Sequence, residues 1–120
     1  MPLLLISHAV NVVVAGLLPV LLFTGRPHME SVYGPDTPAR RILACVYAAI
    51  ALASAAALLA RFSQPSSSLP VRVALVLFPL QIVYKLSTLP AVGWTHPVAV
   101  SNALIAALHA AALWSVRDEL

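Results

Sequence analysis

The sequence predicts an all-α membrane protein, with four transmembrane helices in an antiparallel up-down bundle. Three observations carry that prediction. First, 61% of the 120 residues are hydrophobic and only 9% are charged, whereas about a quarter of a soluble domain's residues carry charge. The mean hydropathy is +0.93. Second, four apolar runs reach the roughly 20 residues that a helix needs to cross about 30 Å of hydrocarbon. Third, none of the runs alternates apolar and polar residues as a barrel strand must. In lipid each span then has to satisfy its own backbone, which leaves the helix.

The first run is Leu3 to Phe23, LLLISHAVNVVVAGLLPVLLF. No Lys or Arg precedes it and it exceeds a usual signal-peptide core, so it reads as a span. The second is Ile42 to Ala60, the third about Val71 to Ala91, and the fourth Pro97 to about Val116. Thr24 to Arg41 forms a first loop, with Gly and Pro as helix breakers. Arg61 to Pro70 is a Ser/Pro turn, and Val92 to His96 closes a tight hairpin between the last two helices. Trp94 and Tyr33 are expected at one membrane interface, and Phe62 and Trp114 at the other. No internal repeat interrupts the chain, which reads as one four-helix domain over residues 1–120.

The same composition excludes other classes. A net charge of +3 is too small a field for nucleic acid, and the single cysteine, Cys45, precludes a disulfide scaffold. Basic residues divide equally, with Arg61, Arg72 and Arg117 on the side of the termini and Arg26, Arg40 and Arg41 on the other. The positive-inside rule therefore assigns no orientation.

Alanines recur at four-residue spacing. Ala49, Ala53 and Ala57 line the second span, and Ala99, Ala103, Ala107 and Ala111 the fourth. Such columns let helices approach closely in lipid. They serve packing within the bundle, a homo-oligomer, or docking onto a larger membrane complex. Pro19 and Pro79 lie inside spans, where each removes a backbone hydrogen bond and bends its helix, and Gly16 sits one turn before Pro19.

Polar side chains inside spans are costly and tend to face a bundle's interior. Here they fall at helical spacing: His8 with Asn11, Gln81 with Lys85 and Thr88 beside Tyr84, and Asn102 with His109. Lys85 is the one charged residue well inside a span, and an amide oxygen of Gln81 or Asn102 would satisfy it. Asn11, Gln81, Tyr84, Lys85, Asn102 and His109 are the candidate binding residues. This seam either sets helix register or lines a pocket for a lipophilic molecule with a polar head.

All four carboxylates, Glu30, Asp36, Asp118 and Glu119, lie outside the spans. That argues against a proton-coupled exporter, which needs a membrane carboxylate. No CxxC, phosphate loop or nucleophile elbow occurs. A haem between His8 and His109 is open to the first and fourth helices, but a histidine pair is an unspecific pattern. No cofactor and no metal is predicted.

The patterns Val32-Tyr33-Gly34, Gln81-Ile82-Val83-Tyr84-Lys85 and His96-Pro97, with Asn102 and His109, resemble a loose group of small four-span bacterial and fungal membrane proteins that includes the DoxX-like ones. The resemblance implies an accessory membrane subunit or a helper in a lipid or natural-product pathway, and imports no catalytic residues. The chain ends Arg117-Asp118-Glu119-Leu120, which is similar to an endoplasmic-reticulum retrieval signal. The expected location is thus a plasma or inner membrane, or the endoplasmic-reticulum membrane in a eukaryote.

Two functional classes follow. One is an accessory or binding protein, for a partner protein or a lipophilic small molecule. The other is a membrane-embedded enzyme, isomerase- or cyclase-like, using His8, Lys85 and His109 as acid–base groups on a lipophilic substrate.

Overall fold

In the computed structural model, which describes residues 1–25 and 27–120, four long apolar helices pack antiparallel. The first span runs from Pro2 to Phe23 in three pieces: α1 (Pro2–Val10), a π-helical turn (Asn11–Ala15) and α2 (Gly16–Phe23). A short helix α3 (Pro27–Tyr33) follows, then α4 (Pro38–Ser63), α5 (Leu69–Val92) and α6 (Pro97–Ser115). A 3-10 turn, Arg117–Glu119, closes the chain. The long axis measures 44 Å, close to the roughly 40–45 Å of a bilayer with its headgroups.

α4 overruns its predicted span at both ends, because hydropathy stops at Arg41 and Arg61 and backbone hydrogen bonding does not, while the other three spans fall within two residues of their predicted bounds. Arg40 and Arg41, expected in the first loop, lie in the first turns of α4. That loop also contains α3, which its Gly and Pro content did not suggest. Of the six arginines weighed for orientation, Arg26 lies outside the described residues.

Pro19 accounts for the broken first span. It offers no N–H to the Ala15 carbonyl and its ring crowds that carbonyl. The π turn ends at Ala15 and widens the coil where this conflict arises. Buried positions accordingly step by four through Asn11, Ala15 and Pro19, after closer spacing at Leu4, Ser7 and His8. The consequence is tertiary. α1 packs against α4, α5 and α6, whereas α2 turns onto α4. Gly16 lies at this contact, where a Cβ would meet Ala51 Cβ at 3.7 Å, an ordinary van der Waals distance.

Burial runs opposite to a soluble protein's. Val13, Val76, Leu80, Val83 and Leu104 are exposed, while Ser7, His8, Asn11, Ser54, Gln81, Lys85, Asn102 and His109 are buried. With lipid outside there is no hydrophobic penalty for the first set, and every polar group gains by finding a partner within. α6 buries Ala99, Asn102, Ala106, His109 and Ala112. The predicted column Ala99–Ala103–Ala107–Ala111 therefore leaves the core after its first member, and Ala107 and Ala111 are exposed. Four residues turn a helix by more than one revolution, so a strict four-residue column drifts around it.

Candidate functional site

The buried polar groups form three layers along the bundle. At the level of the termini, the Phe78 ring lies between two imidazoles. It stacks on His109 at 4.4 Å between centroids and tilts against His8 at 4.8 Å. His8 Nε2 donates to the Pro70 carbonyl at 3.0 Å, which leaves Nδ1 to accept from the Ser54 hydroxyl at 3.1 Å. His109 Nδ1 and the Ser7 hydroxyl share a hydrogen bond, while His109 Nε2 has no partner. Phe78 fills the space a haem would need between the two histidines, and both nitrogens of His8 are engaged. The pair does not fit bis-histidine ligation. Among the described residues no group of three or more His, Cys, Asp or Glu is placed to hold a metal ion.

In the middle layer Asn11 and Gln81 exchange amide hydrogen bonds, Asn11 Nδ2 to Gln81 Oε1 at 2.8 Å and Gln81 Nε2 to Asn11 Oδ1 at 3.0 Å. Asn11 Nδ2 also donates to Ser54 Oγ at 3.0 Å, so the chain continues through Ser54 to His8 and the Pro70 carbonyl. Each of these donors meets an acceptor, which is what a low-dielectric core demands.

The third layer, below the first and third loops, is built differently. Lys85 Nζ donates to Asn102 Oδ1 at 3.1 Å and lies 5.2 and 6.0 Å from the ring centroids of Tyr84 and Tyr47. Asn102 Nδ2 donates to Thr88 Oγ1 at 3.3 Å, and the Thr88 hydroxyl donates to the Lys85 carbonyl. The Tyr84 hydroxyl is buried without a partner. Lys85 is 4% exposed, and no carboxylate among the described residues pairs with it.

This layer opens onto two adjoining cavities of about 230 and 290 Å³ that share Val32, Tyr33, Val98 and Asn102. Val14, Leu18 and Ile105 wall the first and Lys85 borders it. Tyr47, Tyr84, Thr88 and His96 border the second. The first cavity occupies the gap that α2 leaves beside α6 when it turns onto α4, and α3 roofs both. Arg40 holds that roof, donating to the Leu22 carbonyl at the end of α2 and to the Gly34 carbonyl after α3, each at 3.1 Å. Both are carbonyls that a helix terminus leaves without an internal partner. Gly34, at φ 84°, adopts the left-handed turn that lets the chain leave α3 there. Arg41 makes a two-point contact with Asp36, which holds that carboxyl below the ordinary range. Burial pushes the Tyr33 phenol up, so it stays protonated.

The predicted site residues thus divide. Lys85, Tyr84 and Asn102 meet at the cavities, whereas Asn11, Gln81, His8 and His109 border neither of them; Gln81 lines a separate, largely apolar cavity with Ile50 and Tyr84. Of the two amides proposed for Lys85, Asn102 is its partner and Gln81 is committed to Asn11. Tyr33, expected in an interfacial girdle, turns inward, while Trp94, Phe62 and Trp114 are exposed near helix ends. Sequence reasoning passed over Ser7, Ser54, Tyr47 and Arg40. Ser54 in an alanine-rich helix and Tyr47 one heptad earlier were the available signal, since both fall on the buried face of α4.

No protein-family model, curated protein or solved structure matches the chain.

Proposed function

We propose that this small four-span protein binds a lipophilic molecule with a polar head in the paired cavities under α3. The observation that carries the reading is a buried lysine bordering a cavity whose walls are otherwise largely apolar. Ligand sites combine such walls with a few convergent polar groups, and an intramembrane charge is a functional candidate by default. Binding is favoured over turnover because His8 and His109, each 0% exposed, border neither cavity. Of the three acid–base candidates only Lys85 reaches them. The exposed Ala107 and Ala111 supply a second, weaker reading, a small-residue face for a partner helix.

Native mass spectrometry after purification in mild detergent tests the main reading. The expected spectrum carries a low-mass lipophilic adduct at about one per chain, lost in Val98→Trp, which fills the wall common to both cavities. Identical adducts on the two proteins would count against it.

A further inference from the structure

The hydrogen-bond polarity of the lysine layer identifies the head group. Its acceptors are occupied internally: Asn102 Oδ1 takes the Lys85 proton and Thr88 Oγ1 takes one from Asn102. Its donors are not. An ammonium has three protons and no acceptor, and the side chain makes one hydrogen bond, to Asn102. The Tyr84 hydroxyl, which can donate as well as accept, has no partner. His96 Nδ1 accepts from the Val98 amide at 3.2 Å, which places the proton of a neutral ring on Nε2, another donor, on a residue bordering the second cavity.

Charge points the same way. Among the described residues neither cavity is bordered by an acid. Asp36 is engaged by Arg40 and Arg41, and Glu30 is exposed on α3. A buried cation is normally paired, and here the protein supplies only an amide oxygen and two aromatic faces. One missing negative charge, with acceptor oxygens and an apolar body, would complete the layer.

We infer that the ligand is a lipophilic monoanion, a carboxylic acid in its ionised form, with its carboxylate on Lys85 and its hydrocarbon against Val14, Leu18 and Ile105. This rests on the cavity reading above and adds the charge of the head. A phosphate monoester would bring a second negative charge, and among the described residues the lining holds no second lysine or arginine to receive it.

The test is calorimetric titration of the full chain in nonionic detergent with decanoate, methyl decanoate and decyl phosphate. Wild-type protein is expected to bind decanoate roughly tenfold or more tighter than its methyl ester, since leaving a buried charge unpaired is costly. Lys85→Met should lose that preference yet keep the ester affinity, which also shows that the variant is folded. Equal binding of acid and ester by wild type would overturn the anion assignment while leaving the cavity reading in place. A preference for decyl phosphate would overturn the carboxylate, and absence of binding by all three would overturn both readings.

Discussion

Lys85 and Asn102 meet across the hairpin of α5 and α6, Nζ to Oδ1 at 3.1 Å, and this contact is the only side-chain hydrogen bond of the bundle's one deeply buried ammonium among the described residues. The two ends of the contact therefore respond unequally to mutation. Asn102→Leu strands a buried charge and should cost about 2–4 kcal/mol. Lys85→Met removes that charge and leaves only the neutral Asn102 oxygen without its donor, so it should cost less, about 1 kcal/mol. Thermal unfolding in detergent measures both. A Lys85→Met protein as unstable as Asn102→Leu would show the lysine to be structural.

The Asn11–Gln81 exchange of amide hydrogen bonds couples the first span to α5. Each single change to Leu leaves the other amide without its partner. The double change should cost less than the sum of the two, with a coupling of about 1–2 kcal/mol, at the upper end for such pairs in membranes. A double-mutant cycle on unfolding free energies gives the value, and strict additivity would mean that the two amides do not work as a unit.

Ala106 is buried in α6 and Ala107 is exposed beside it. Ala106→Leu should lose about 1–3 kcal/mol through overpacking, whereas Ala107→Leu should stay within about 0.5 kcal/mol. Sequence spacing alone marks Ala107 as the sensitive position. A large effect at Ala107 on complex size, read by light scattering, would instead reveal a partner helix on that face.

Pro19 and the π turn before it carry α2 away from α6 and leave room for the first cavity. Pro19→Ala restores an N–H for Ala15 and should straighten the span, raising stability and weakening ligand binding together. Native mass spectrometry and thermal unfolding on the same preparation check the pairing. Unchanged ligand occupancy would detach the cavity from the bend.

The Asp36 carboxyl is held below its ordinary range by its hydrogen bonds to Arg41, with the charges of Arg41 and Arg40 adding to the effect. A depressed folded-state value contributes stability at pH above the ordinary carboxylate value of about 4, and that contribution is lost as pH falls through the lowered value. The wild-type advantage over Asp36→Asn should thus be small at neutral pH, since the pair is exposed, and should vanish in acid. An advantage that grows as pH falls would contradict the assignment.

Much was legible in the residues themselves. Chain composition and run length determined that this is a four-span helical membrane protein, because transfer of a segment into lipid depends on the hydropathy of its own contiguous residues and its backbone is then satisfied only as a helix. Helical spacing also marked His8, Asn11, Gln81, Lys85, Asn102 and His109 as inward-facing, and all are buried. What the tertiary structure decided is which of them close on one another and which face a cavity. That outcome depends on how each helix is rotated and on where α2 leaves the bundle, both set by contacts between residues far apart in the chain. So Gln81 pairs with Asn11 across 70 positions, Arg40 pins α3 over the cavities, and Lys85 is left with donors to spare. Periodicity can place a residue on a face, but only the packing of distant segments determines what that face meets.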